Sequence, residues 1–157
     1  MKQDIKYFLI FALINFGGLY IGSIFTTPGV SSDWYNNLNQ APWTPPGWVF
    51  GFAWTLIGIT YSMWGAWIYK NYNKGDYQTP LYFVGSWFLN VVWNYIFFKL
   101  HLTLLAGVVI ADLLLILLLI SKSTREFYGN KPVGFLIPYI VWLCIATSLN
   151  WYIVVMN

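Results

Sequence analysis

The chain has 157 residues, among them 10 Trp, 12 Tyr and 12 Phe, against 8 Lys plus Arg and 5 Asp plus Glu. Charged residues make up 8% of it, where soluble domains carry about 25%, and the mean hydropathy is +0.59. A chain this short cannot hide so much apolar surface in one core, and disorder needs low hydrophobicity with high charge, so a water-soluble enzyme domain and a disordered segment are both excluded. The net charge of +3 does not indicate nucleic acid, because the basic residues stand in ones and twos at the ends of apolar runs, as orientation in a bilayer requires.

A helix needs about 20 apolar residues to cross the hydrocarbon layer, and unpaired backbone amides are too costly in lipid for any other open structure. The charge-free intervals therefore predict an all-α fold, a single transmembrane domain of five helices near 5–26, 47–69, 79–99, 102–122 and 133–155. Lys2 and Lys6 precede an apolar stretch longer than a signal-peptide core, and no A-x-A-like site follows, so the first segment is read as a span. With five spans, Lys2, Lys6, Lys70, Lys74, Lys122, Arg125 and Lys131 fall on one side and Lys99 alone on the other. The positive-inside rule then places the N-terminus in the cytoplasm, with the C-terminus and the loop 27–46 outside a bacterial cell membrane.

The Pro-rich loop 27–46 is the first candidate functional element. Ser32 or Asp33 can cap a short helix that starts at Trp34, with Trp34 and Leu38 on one face. Thr44 is expected to cap the second span, with Pro45 at its first position. The loop is either a rigid connector whose Trp34, Tyr35 and Trp43 sit in the interfacial aromatic belt, or a lid over a cavity.

Depth arithmetic at about 1.5 Å per residue sorts the remaining aromatics. Trp54, Asn90, Trp93, Trp142 and Ala146 fall in the outer half of the bundle, and Trp142, Ala146 and Asn150 share one helical face. Trp48, Trp67, Trp87 and Trp151 are nearer span ends, where belt anchoring explains them. Asp112 lies at the middle of the fourth span. It is expected to face the bundle interior and bond to Asn15, Asn90 or Asn94, a proton relay being the alternative.

His101, the single histidine, sits at the outer boundary, where packing is weighed against a metal or haem ligand. Cys144, the single cysteine, is read as a small apolar residue. No Cys/His cluster, phosphate-binding Gly loop or haem-attachment motif is present, so neither a metal nor a cofactor is expected. Gly18 and Gly22, Gly47 and Gly51, and the heptad Gly51, Gly58, Gly65 mark close helix approaches, within one chain or between two.

The stretch Trp34-Tyr35-x-x-Leu38-x-x-x-Pro42-Trp43-Thr44-Pro45-Pro46-x-Trp48-Val49, followed by Trp54, closely resembles the translocator protein family, also called tryptophan-rich sensory protein or peripheral benzodiazepine receptor. Leu89-Asn90-x-x-Trp93 through Phe97-Phe98, Asp112-Leu113-Leu114-Leu115 and Pro138-Tyr139-x-x-Trp142-x-x-x-Ala146-Thr147-x-Leu149-Asn150 are similar to further segments of that family in the same order. The resemblance implies a homodimeric five-helix bundle with a cavity under the first loop. It also implies binding of tetrapyrroles such as protoporphyrin IX and of synthetic benzodiazepine or isoquinoline ligands.

Carried over position by position, the implied pocket is Trp34, Tyr35, Trp54, Asn90, Trp93, Trp142, Ala146 and Leu149. The implied light-dependent porphyrin breakdown falls to Trp54 and Trp142. The family's animal cholesterol motif needs a basic residue after its Tyr. Tyr152 is followed here by Ile-Val-Val-Met-Asn, so cholesterol is not expected. Three roles stay open: a tetrapyrrole-binding sensor with weak photochemistry, a porphyrin or lipid transporter, and a ligand-regulated scaffold.

Overall fold

The computed structural model describes residues 2–157. Its elements are α1 (Lys2–Val30), α2 (Asp33–Asn36), α3 (Gly47–Lys70), α4 (Gln78–Asn94), α5 (Thr103–Tyr128) and α6 (Ile137–Met156). Helix α4 continues into a π-helical turn, Tyr95–Lys99, and a 3-10 turn, Lys131–Leu136, leads into α6. Five helical segments are long and apolar enough to cross a membrane. They close into a ring in the order α1, α3, α6, α5, α4, with α4 returning to α1.

Several boundaries depart from those expected. Helix α1 runs past residue 26 to Val30 with Pro28 inside it, so the connection to α3 is shorter than 27–46. Its last turn is held where Gly29 lies flat on Phe98, and the Ser32 backbone N–H donates to the Gly29 carbonyl at 3.1 Å. Helix α5 extends beyond 122 because its last turns are tied inward. Trp64 Nε1 donates to Thr124 Oγ1 at 3.2 Å, and the Thr79 and Ser123 hydroxyls bond at 2.7 Å. The helix then stops at Gly129, whose φ of 79° is a left-handed value that a glycine adopts without strain.

Ser32 is the cap of α2, accepting from the Tyr35 N–H at 3.2 Å. Thr44 does not cap α3. Pro46 occupies that position with no side-chain cap, because a residue before proline is pushed into extended backbone and the pair Pro45-Pro46 delays the helix to Gly47. The Thr44 N–H turns back instead to the Ala41 carbonyl at 2.9 Å.

Polar side chains join the helices across the ring. Asn15 Nδ2 donates to Ser62 Oγ at 3.0 Å, Thr26 Oγ1 to Asn94 Oδ1 at 2.6 Å, and the Tyr61 and Ser86 hydroxyls bond at 2.8 Å. Each such bond is worth about 0.6 kcal/mol on average in a membrane, so their main effect is to fix register. Glycines set the spacing. A Cβ on Gly18 would lie 2.6 Å from the Trp87 indole nitrogen, one on Gly22 2.7 Å from Asn94, and those on Gly58 and Gly65 2.7 and 2.5 Å from the Phe16 and Phe11 rings. These four therefore serve packing within the chain, whereas Gly47 and Gly51 have nothing within 4 Å.

Asp112 overturns its expectation. It is exposed on the outer face of α5, with none of Asn15, Asn90 or Asn94 bonded to it: the Asn15 amide donates to Ser62, and the Asn94 amide accepts from Thr26 and donates to the Asn90 backbone carbonyl. The interior face of α5 is instead taken by Leu113, Leu117 and Ile120. A lipid-facing Asp at a helix centre costs about 2.5–3.5 kcal/mol on the insertion scale.

Candidate ligand cavity

The 3.6-residue period of α3 brings Trp54, Ile57, Gly58 and Tyr61 onto one inward stripe. Across from it, Tyr139 and Trp142 of α6 point inward, both buried. Trp54 meets Trp142 edge-to-face at 6.4 Å and Tyr139 at 6.0 Å, while Phe50 closes on the other side of Trp142 at 5.2 Å. A cavity lies against this aromatic wall, lined by Asn15, Leu19, Trp54, Tyr61, Trp87, Asn90 and Tyr139, among others. Its volume is about 20 Å³, room for roughly one water.

Two buried polar atoms of α6 have no hydrogen-bond partner among the described residues: Trp142 Nε1, within this wall, and Thr147 Oγ1, about 140° around the helix from it. A buried indole N–H ordinarily finds an acceptor. Nearby, the Asn90 backbone carbonyl accepts from Asn94 Nδ2 at 2.8 Å, which leaves the Asn90 side-chain amide at the cavity. Trp142 thus presents a free donor inside an aromatic wall. A free donor beside aromatic faces is the chemistry that suits a flat apolar guest with a few acceptors.

A second aromatic cluster lies beneath α2. Trp34 stacks on His101 at 3.9 Å and 10° and meets Phe97 at 5.5 Å, while Tyr35 packs on Phe98 at 5.6 Å. The π turn makes this possible: its Leu100 N–H donates to the Tyr95 carbonyl at 3.1 Å, and the extra residue lets Ile96, Phe97 and Phe98 all be buried. His101 follows with a φ of 58°, a left-handed value that is uncommon for a non-glycine residue. Burial under the loop raises the pKa of the Tyr35 phenol.

Trp93 bridges the two clusters. It stacks on Phe97 at 5.1 Å and donates Nε1 to Asn150 Oδ1 at 3.0 Å, and Asn150 Nδ2 donates to the Thr103 carbonyl at 3.0 Å. The far end of the loop is pinned to α6. Asn39 Nδ2 donates to the Met156 carbonyl at 3.0 Å, and Trp43 donates Nε1 to Ser148 Oγ at 3.2 Å while its ring meets Tyr152 at 5.3 Å.

The sequence pattern of the TspO/MBR family matches residues 10–156. The chain belongs to the TspO/MBR family. It is 31% identical over 153 residues to the tryptophan-rich protein TspO of Archaeoglobus fulgidus, covering 94% of each chain. It is 32% identical over 142 residues to the human translocator protein, covering 85% of this chain and 80% of that one. It is also 30% identical to protein CrtK of Rhodobacter capsulatus over 137 residues, covering 83% of this chain and 79% of the other.

Within this TspO/MBR chain, the residues singled out from sequence fall into two adjacent groups. Trp54, Asn90 and Trp142 sit at the cavity and its aromatic wall, with Ala146 packed against the same core. Trp34 and Tyr35 belong to the cluster under α2, joined to the first group through Trp93. Leu149 is buried but belongs to neither ring cluster. Tyr61, Tyr139, Asn15 and Trp87 line the cavity without having been singled out for it. Tyr61 and Tyr139 were findable by period, seven residues after Trp54 and three before Trp142. Trp87 corrects its reading as a belt anchor: it donates Nε1 to the Ile14 carbonyl at 3.0 Å and lies over Gly18, where α1 lacks a side chain.

Proposed function

We propose that this chain binds a planar tetrapyrrole, with protoporphyrin IX as its test ligand, between Trp54 and Trp142, and promotes its light-dependent oxidation. The observation that carries this reading is the buried, unpartnered Nε1 of Trp142, whose ring meets Trp54 edge-to-face. A macrocycle between the two indoles gains stacking area from both, and its acceptors answer the free N–H and the Asn90 amide. Ligand sites of this kind are typically about 300–1,000 Å³, so entry requires the Trp54 and Trp142 rings to part and the loop to yield. The proposed pocket extends to Trp34, Tyr35, Trp93, Ala146 and Leu149.

Dioxygen is the oxidant. Light excites the porphyrin, and one dioxygen adds across a methine bridge. That C=C cleaves into two carbonyl groups, with both oxygen atoms retained in the product. Trp54 and Trp142 hold the ring for this step and, as oxidisable indoles, exchange an electron reversibly with its excited state. The same stacking surfaces are proposed to take flat benzodiazepine or isoquinoline ligands once the rings part. The basic-residue bias supports an orientation with the loop on the outer side and the N-terminus in the cytoplasm, and a homodimer is part of the proposal.

The experiment is illumination of the protein–porphyrin complex in air. Wild type loses the porphyrin spectrum faster than free porphyrin does, and the Trp54→Phe/Trp142→Phe variant, at ligand concentrations where it is saturated, does not. Equal loss in the saturated variant would reject the role given to the two tryptophans.

A further inference from the structure

The ring contacts around Trp54 and Trp142 continue as a column into the other half of the bundle. From Trp142 the column passes to Trp54 at 6.4 Å, to Tyr139 at 6.0 Å, to Tyr61 at 5.3 Å and to Trp64 at 5.1 Å. Each step lies within the roughly 4.5–7 Å of paired aromatic rings, and the last pair is stacked, 10° from parallel. Trp64 follows Trp54 by ten residues on α3, which puts it about 15 Å further from the loop. One turn on, the partly buried Trp67 meets Tyr128 at 5.9 Å, at the end of the bundle opposite the loop.

Every ring in this column is a tryptophan or a tyrosine, the aromatic side chains that can give up an electron to a photoexcited pigment. The cluster under α2 differs, because its contacts run through Phe97 and Phe98, whose benzene rings hold no electron hole. An oxidised indole keeps its N–H and remains a cation, whereas an oxidised phenol must lose its proton. Tyr61 has no base to take that proton. Ser86 Oγ spends its hydrogen on the Phe83 carbonyl at 2.8 Å, so the Tyr61 hydroxyl donates to a serine that cannot accept a further proton. The tyrosines therefore pass a hole on without keeping it. Trp64 can keep it: the side chain is 1% exposed, and its Nε1 donates to Thr124 Oγ1 at 3.2 Å, a bond that strengthens when the donor is charged.

We infer that Trp54, Tyr139, Tyr61 and Trp64 form a one-electron conduit that carries the hole left by a photoexcited porphyrin away from Trp54, toward the end of the bundle opposite the loop. The inference rests on the porphyrin reading and adds a second outcome of illumination. The excited porphyrin takes one electron from Trp54 and becomes a radical anion, and Trp64 refills Trp54 through the two tyrosine rings. A water-soluble enediol of the ascorbate class reduces Trp64 by way of Trp67, losing one electron to it and one proton to water. The porphyrin anion gives its electron to dioxygen, which leaves as superoxide. The porphyrin is restored, and the net reaction moves one electron from the enediol to dioxygen.

The test uses the full-length protein with bound protoporphyrin IX in lipid nanodiscs, illuminated without air and then frozen for electron spin resonance. Wild type is expected to hold a tryptophan radical about 15 Å from the porphyrin anion, the rise from Trp54 to Trp64. Trp64→Phe, which still binds porphyrin in the dark, is expected to lose that distant signal, and Trp48→Phe, whose side chain is 73% exposed, to keep it. In air and light, ascorbate should be consumed more slowly with Trp64→Phe than with wild type. A wild-type radical found only against the porphyrin, or a tyrosyl radical in its place, would overturn the conduit whether or not Trp64→Phe folds. A distant signal that survives in Trp64→Phe would overturn the role of Trp64, and equal ascorbate consumption would overturn the donor step. Absence of any porphyrin band shift on mixing would overturn the porphyrin reading and the conduit together, whereas bound porphyrin that bleaches in air without a distant radical overturns the conduit alone.

Discussion

Replacing Gly29 by alanine tests how the loop is seated on the bundle. The added Cβ would lie 2.4, 2.6 and 2.7 Å from the Cδ1, Cγ and Cβ atoms of Phe98. Carbon atoms rest at about 3.5–4.0 Å, so the overlap exceeds 1 Å. The obstructing atoms are the root of a buried ring, not the tip of a flexible chain. Overpacking of this kind costs about 1–3 kcal/mol, and alanine is itself the better helix former by about 1 kcal/mol, so the net loss is about 0–2 kcal/mol.

Phe98 also carries Tyr35, at 5.6 Å, so the displacement should reach the loop. Thermal or SDS-induced unfolding in lipid nanodiscs is the assay, with Gly47→Ala as the control because nothing lies within 4 Å of that position. Gly29→Ala should unfold earlier than wild type, and a protease should cut the loop 37–46 sooner. Gly47→Ala should match wild type or exceed it. If Gly29→Ala were as stable and as protease-resistant as Gly47→Ala, the account of the loop's seat would be wrong.

Further outcomes follow from the same contacts. Trp142→Phe removes a buried donor that has no acceptor, a relief of about 1–3 kcal/mol that offsets the lost ring volume. The ligand-free protein should therefore stay within about 1 kcal/mol of wild type while porphyrin affinity falls, as calorimetry with and without ligand will show. Asn150→Leu breaks the links to Trp93 and Thr103 and leaves an indole N–H unpaired, at a cost of about 1–3 kcal/mol in nanodisc unfolding. Tyr35 has a raised pKa from burial, so its contribution to loop docking is complete below the ordinary tyrosine value of about 10 and is lost as pH rises through the higher folded value. The difference in ultraviolet titration between wild type and Tyr35→Phe should therefore appear on the alkaline side of free tyrosine. A difference at or below the free value would contradict the buried phenol.

What the sequence made legible followed from periodicity and from the solvent. Apolar runs of bilayer length gave the five spans, and depth placed Trp54 and Trp142 away from the span ends, without saying that they meet. Their actual facing required the ring order, because contact between α3 and α6 depends on which helices are neighbours. The cap at Ser32 was legible, since the cap chemistry is local. The cap expected at Thr44 was not, because the proline pair overrode it by fixing the backbone on both sides. The π turn at Tyr95–Lys99 leaves no clear local signature, yet it positions Phe97 and Phe98 under Trp34 and Tyr35. Asp112 shows how an interior-seeking rule fails when the inward face of a helix is already filled, here by Leu113, Leu117 and Ile120.

The central claim is that the seam between Trp54 and Trp142 accepts a flat tetrapyrrole. Its most direct measurement is the visible absorption spectrum of the purified protein titrated with protoporphyrin IX in the dark, beside the Trp54→Ala/Trp142→Ala variant. The account predicts a saturable shift of the main porphyrin band at one ligand per chain in the wild type, with the affinity at least about 10-fold weaker in the variant, as loss of two stacking contacts and one hydrogen bond requires. An unchanged band on mixing, or the same shift and affinity in the variant, would contradict it.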